Sequence, residues 1–233
     1  MVTKQADLCA DIGYVSINHY GEQLCGDHVE VVNSQDGKQT TVVLADGLGS
    51  GVKANILSTL ASKILSTMLS SDLKLEDAVE TLIDTLPVCS VRKVAYSTFT
   101  VISIRENRRA EVIQYDNPRV MFFRDGKNVE LPFIETVISG KHVIKAEVEL
   151  QEGDTFMAIS DGVEHAGIGI SYNFGWKRSD IIEYLSSLWS VGFTAKTLST
   201  ILIEETNRLY EGKPGDDATV CTVRIRSASP STC

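Results

Sequence analysis

The chain of 233 residues, with 43% hydrophobic and 23% charged side chains, is long and apolar enough to bury a sizeable core. Its formal net charge is −9 and its basic residues form nothing longer than pairs such as Arg92-Lys93 or Arg108-Arg109, which argues against nucleic acid as the main ligand. Five widely spread cysteines without a C-x-x-C pair argue against a disulfide framework or a zinc knuckle, and the absence of a signal core or membrane-length window predicts a soluble, cytoplasmic protein.

Leu8 to Asn18 is apolar and β-branched enough for a first strand, interrupted at Gly13. His28 to Val32 reads as a second strand, and the Asp36-Gly37 turn joins it in a hairpin to a third, Thr41 to Ala45. Val52 to Leu69 predicts an amphipathic helix on Leu57, Leu60, Ala61, Ile64 and Met68. A second helix follows on Leu75, Ala78, Val79, Leu82, Ile83 and Leu86, closed by Pro87. Further strands are expected at Ala95 to Arg105, Arg109 to Tyr115, Val120 to Arg124, Asn128 to Leu131 and within His142 to Leu150. The continuous apolar run Thr155 to Ile159 predicts a strand buried on both faces. Helices at Ser179 to Trp189 and Thr194 to Tyr210 precede a closing strand, Ala218 to Arg226. This order predicts an α+β fold of two antiparallel sheets with helices outside, in one domain over 1–226 with a flexible tail at 227–233.

Acidic residues recur at the ends of these strands. The third strand ends on Asp46-Gly47 and opens into Leu48-Gly49-Ser50-Gly51, the buried strand ends on Asp161-Gly162, Asp216-Asp217 precedes the last strand and Asp27 the second. A lone acid of this kind is usually a turn former or cap, as Asp36-Gly37 and Asp125-Gly126 illustrate. Asp46 alone could hold a metal, adjoin a phosphate at the helix N-terminus, or cap the helix. A dinucleotide or Walker-type loop fits poorly, because Val52 stands after Gly51 and no Gly-Lys-Ser/Thr follows. If the acidic strand ends converge, like charges repel unless cations lie among them, and oxygen donors select Mg²⁺ or Mn²⁺ over zinc.

Gly26-Asp27, Ala45-Asp46-Gly47-Leu48-Gly49-Ser50-Gly51, Ile159-Ser160-Asp161-Gly162-Val163 and Gly215-Asp216-Asp217-Ala218-Thr219, in this order, resemble the metal-dependent serine/threonine phosphatases of the type 2C superfamily. The similarity is greatest to the bacterial branch that includes stage II sporulation protein E and the stress-response sigma-factor regulators. The resemblance implies an αββα sandwich with two divalent cations, Mn²⁺ or Mg²⁺, at one end of the sheets. It implies that Asp46 bridges both cations, that the Gly47 carbonyl completes one shell, that Asp161 and Asp216 hold one cation, and that Asp27 contributes to the other directly or through water. Asp217 takes a supporting role. The implied reaction is hydrolysis of phosphoserine or phosphothreonine on a bacterial regulatory protein, of the anti-sigma-factor-antagonist kind, by a metal-activated water. Neither nucleic acid nor membrane is an expected partner. A catalytically silent phosphoprotein-binding module of the same fold and a phosphatase of small phosphate esters are the competing readings.

Two departures from the family pattern stand out. No Arg occurs before Gly26, where eukaryotic relatives carry a phosphate-gripping arginine, and Glu164-His165 stands where many relatives have Thr-Glu. His165 is either a proton donor to the leaving group or a surface histidine. His28, on the strand face opposite Asp27, reads as structural, Cys25 as an inert thiol and Lys53 as solvated.

Overall fold

The computed structural model describes residues 8–71, 73–85, 97–106 and 108–228. Its architecture follows from strands that are apolar on both faces. In β3 (Gln39–Gly47), Val42 and Leu44 point one way and Val43 and Ala45 the other, and all four are buried. The same holds for β10 (Thr155–Ile159) and for most of β11 (Ala218–Ser227). Such strands need apolar cover on both sides, which two stacked sheets with outer helices supply.

One sheet has the order β1-β11-β10-β6-β7, with β1 at Leu8–Ile17, β6 at Met121–Arg124 and β7 at Lys127–Asn128. The other has the order β2-β3-β4-β5-β9-β8, with β2 at Asp27–Asn33, β4 at Ser97–Arg105, β5 at Arg109–Tyr115, β8 at Ile134–Ile138 and β9 at Lys141–Glu149. Every strand pair among the described residues is antiparallel. Val42, Leu44, Ile102, Phe156, Ala158 and Val223 belong to the layer between the sheets. Val43, Ala45 and Phe99 pack instead with helices α1 (Gly51–Ser70) and α2 (Leu75–Thr85). Met157, Ile159 and Val220 pack with α4 (Arg178–Leu188) and α5 (Ala195–Leu209). The result is the expected αββα sandwich.

Helix α1 turns inward a face that overlaps the predicted one only in part: Ala61 is buried and Ile64 and Met68 pack against the core, but the face is centred on other residues. The buried positions are Gly51, Ala54, Ser58, Ala61, Ser62, Leu65, Ser66 and Leu69, whereas Leu60 is 47% exposed. Small residues win because the helix lies very close to the sheet: a Cβ on Gly47 would overlap the carbonyl oxygen of Ala54. Ser58, Ser62 and Ser66 each donate to the carbonyl three residues earlier, so their buried hydroxyls are satisfied.

Gly13 does not interrupt β1, which pairs with β11 without a break. A Cβ there would overlap the backbone nitrogen of Lys196 at the start of α5. The Gly13 carbonyl accepts a bond from Ser199 Oγ at 2.8 Å, so the glycine lets the helix seat on the strand. Edge strand β8 escapes the sequence pattern because Ile134 is 71% exposed, and the single turn α3 (Asp161–Glu164) is too short to show periodicity. Cys9 is disulfide-bonded, where the spacing argued against a disulfide framework, while Cys25 and Cys221 are free thiols. Strand β11 continues through Ser227, the first residue of the expected tail. The expected roles of Leu86 and Pro87, the start of the fourth strand at Ala95, and residues 229–233 lie outside the described residues.

Gly13→Ala is expected to destabilise the protein by about 1–3 kcal/mol through overpacking against α5, while Leu60→Ala should cost less than about 0.5 kcal/mol. Urea unfolding followed by circular dichroism measures both. Equal midpoints for the two variants would contradict this packing of α5 on β1.

Candidate metal centre

Strand pairing brings the acidic ends together. Asp27 and Asp46 stand directly opposite each other on β2 and β3. Both follow the alternation that points Val29 and Leu44 between the sheets. On the other sheet β10 and β11 are neighbours, with Ile159 opposite Val220, so Asp161 just after β10 lies beside Asp216 and Asp217 just before β11. The two halves meet across the sandwich: Ser160 Oγ donates to Asp27 Oδ2 at 2.7 Å, and the charge of Asp161 acts on Asp46.

Burial and mutual repulsion govern this cluster. Asp27 is 4% exposed, and burial, with the nearby charges of Asp217 and Asp161, pushes its carboxyl up to about 7 against the hydrogen bonds of Ser160 and Thr219. Asp46 is pushed up to about 10, first by burial and then by the charges of Asp27 and Asp161. Asp161 is raised by burial and by Asp216. Carboxyls crowded in this way hold protons more tightly than isolated ones.

Two buried oxygens, Asp27 Oδ1 and Asp217 Oδ2, have no hydrogen-bond partner. Leaving such a group unsatisfied costs about 1–3 kcal/mol, and more for a charge. The cavity beside the cluster has a volume of about 540 Å³ and is lined by Asp46, Asp116, Asp161 and Asp216 together with hydroxyls and glycines; no Lys or Arg is among its described lining residues. Protons or added cations must therefore offset the negative charge. Crowded oxygen donors with orphaned buried atoms suit hard divalent ions, so the residues present fit the implied pair of cations.

The glycine after each strand-end acid acts through packing. Gly47 lets Ala54 approach, and a Cβ on Gly162 would overlap the carbonyl oxygen of Asp217. Tyr210 donates to the Gly162 carbonyl at 2.6 Å and fixes the turn that carries Asp161. Gly49 and Gly51, at φ +100° and +67°, provide the left-handed backbone that turns β3 into α1.

The structure thus brings Asp27, Asp46, Gly47, Asp161 and Asp216 to one end of the sandwich. Asp217 anchors the preceding loop, its Oδ1 accepting the His19 backbone N–H at 2.9 Å. His28 bonds Glu30 at 2.8 Å, consistent with a structural histidine. His165 is no isolated surface residue: its Nδ1 lies 3.3 Å from Asp216 Oδ2, and that bond foremost raises the ring above its ordinary value. Sequence reasoning passed over three contributors. Ser160 links Asp27 to the Thr219 backbone N–H, its Oγ accepting that bond at 2.9 Å, and its alternation with Ala158 was the available signal. His19 and Asp116 both line the cavity. Asp116 also follows a strand, β5, but precedes Asn117 rather than glycine and so escaped the Asp-Gly pattern.

Over residues 36–226 the chain matches the family described as stage II sporulation protein E. No curated protein sequence matches it. The fold is similar to that of the PP2C phosphatase domain and a fragment of the regulatory domain of the cell fate determinant SpoIIE from Bacillus subtilis, at 19% identity and TM-score 0.82, over 97% of this chain and 64% of that one. It is also similar to the RsbU and RsbW domains of a Mycobacterium tuberculosis protein, at 17% identity and TM-score 0.73, over 97% and 62% of the respective chains. In both comparisons the chain spans a little under two thirds of the relative. The catalytic domain of the serine threonine protein phosphatase PstP, in complex with two manganese ions, matches at 17% identity and TM-score 0.62, over 94% and 99%. At these identities the solved structures establish the fold alone.

The raised carboxyls set a pH dependence. Asp27 and Asp46 bind protons more tightly folded than unfolded, so their stabilising contribution is full below about pH 4 and is lost as pH rises through about 7 for Asp27 and about 10 for Asp46. His165, also raised, acts with the same sign. Metal-free protein is expected to lose melting temperature between about pH 5 and 8, and saturating Mn²⁺ to flatten that slope while releasing protons. Melting curves with and without chelator measure this; a metal-free melting temperature that rises over the interval would contradict it.

Proposed function

The chain belongs to the stage II sporulation protein E family, and from that premise we propose that it is a metal-dependent phosphatase hydrolysing phosphoserine or phosphothreonine on a regulatory protein. The observation that carries this reading is the convergence of Asp27, Asp46, Asp161 and Asp216 beside an open cavity whose described lining contains no Lys or Arg. Asp46 would bridge two cations, Asp161 and Asp216 would hold one, and Asp27 and the Gly47 carbonyl would serve the other. Bound there, Mn²⁺ or Mg²⁺ would offset the carboxylates, draw in the phosphoryl oxygens and acidify water in the site.

The chain's own groups favour a direct attack by water. Burial holds the thiol of Cys25 up at about 12, with Asp27 adding to it, and burial does the same for Cys221. Neither supplies a thiolate nucleophile at neutral pH. Ser97 Oγ donates to the Asp46 carbonyl at 3.0 Å and so steadies the residue at the centre of the cluster. His19 is the one described lining residue able to carry positive charge, its Nδ1 lying 3.0 Å from the Tyr20 carbonyl oxygen. Without cations, a phosphate dianion would meet a field dominated by the aspartates.

A protein substrate is favoured by the family and by the RsbU and RsbW domains among the similar folds; a phosphorylated regulator of the anti-sigma-factor-antagonist kind is the specific candidate. Asp46→Ala and Asp161→Ala are each expected to lower manganese-dependent release of phosphate from a phosphorylated regulator by more than about 100-fold, exceeding the usual effect of outer-shell changes. Undiminished turnover would sink the proposal. Equal kcat/KM for the phosphoprotein and for p-nitrophenyl phosphate would favour a small-ester phosphatase, and cation binding without turnover of either would favour a silent module.

A further inference from the structure

We propose that His165 is a nitrogen ligand to the cation held by Asp161 and Asp216, making that position a mixed imidazole and carboxylate site. The inference rests on the metal-centre reading above. It starts from spacing: Asp161 and His165 are four residues apart, and the His165 N–H donates to the Asp161 carbonyl at 2.9 Å. That closed turn puts the side chains of Asp161 and of His165, the residue that caps α3, on one side.

The turn is held on both flanks. Ser160 before it bonds Asp27 and the Thr219 backbone, Tyr210 grips the Gly162 carbonyl, and Trp176 N–H donates to the Glu164 carbonyl at 2.7 Å. From this fixed backbone the histidine reaches Asp216: Nδ1 lies 3.3 Å from its Oδ2.

The geometry suits one ion. Donor atoms of Asp161, His165 and Asp216 all lie within 4.8 Å of one another. A cation with metal–ligand distances of about 2.1 Å sets adjacent ligands about 3.0 Å apart and opposite ones about 4.2 Å apart. The His165–Asp216 separation is therefore that of neighbouring ligands, and the triangle needs only small adjustment to close on an ion. The ring is half exposed and has room to turn. The partnerless Asp27 Oδ1, buried in the same cluster, independently indicates missing positive charge.

A nitrogen donor changes selectivity. Oxygen-only sites suit Mg²⁺, whereas imidazole favours transition ions over it. This position is thus specified for Mn²⁺ over Mg²⁺. A histidine that only hydrogen-bonds Asp216 would instead orient the carboxylate and serve both ions alike.

Pulsed electron paramagnetic resonance of the unaltered protein loaded with Mn²⁺ tests this directly, with titration calorimetry of Mn²⁺ and Mg²⁺ on the same protein and on His165→Ala and His165→Gln. Expected are ¹⁴N coupling to manganese that disappears in both variants, a loss of at least about 10-fold in Mn²⁺ affinity at one site, and less than about 3-fold for Mg²⁺. Bound manganese without ¹⁴N coupling in the unaltered protein would overturn the inference and leave the metal centre standing, as would equal weakening of both ions. If the unaltered protein binds neither ion, the metal-centre reading falls and this inference with it.

Discussion

Carboxylates crowded where two sheets meet are the condition around which the fold is arranged. Asp27 and Asp46 come from one sheet and Asp161 and Asp216 from the ends of strands in the other, and their repulsion must be met by protons or cations. The surrounding structure holds them in place regardless. Ser160 and Thr219 fasten Asp27, Tyr210 fastens the turn that carries Asp161, and Ser97 fastens the backbone of Asp46. The glycines beside the acids permit the close backbone contacts on which this arrangement depends. A site held against its own charge is prepared for a ligand of opposite sign before that ligand arrives.

Much of this was legible in the residues because the dominant forces leave short-range marks. The continuous apolar run Thr155 to Ile159 marked a strand covered on both faces, and the order of strands and helix pairs indicated two sheets with helices outside. An acid at the end of such a strand has few uses, and several in one chain have fewer. The resemblance carried by the ordered motifs then supplied the fold by name, and the family match agrees with it.

What stayed hidden depends on contacts between distant segments. Counting large apolar residues located the inward face of α1 only in part, because closeness to the sheet buries alanine and serine there beside Leu65 and Leu69. Gly13 looked like a break when it is a seat for a helix nearly two hundred positions later. Ser160 and Thr219 are unremarkable in isolation and become significant only when β10 and β11 lie side by side. His165 could be weighed only as an acid or a surface residue, since nothing in its neighbourhood along the chain reveals Asp216, fifty-one positions away.

The four acids also lie far apart along the chain and on both sides of the sandwich, which bears on the order of events in folding. Hairpins such as β2–β3 can close early because their contacts are local. The cluster cannot exist until the sheets have stacked, so an ion finds its full set of donors only late. Ions that join after the rate-limiting step leave the folding rate largely unchanged and slow unfolding instead. Bound across the seam, they act as rivets: they contribute little to assembly and much to how long the assembled sandwich lasts.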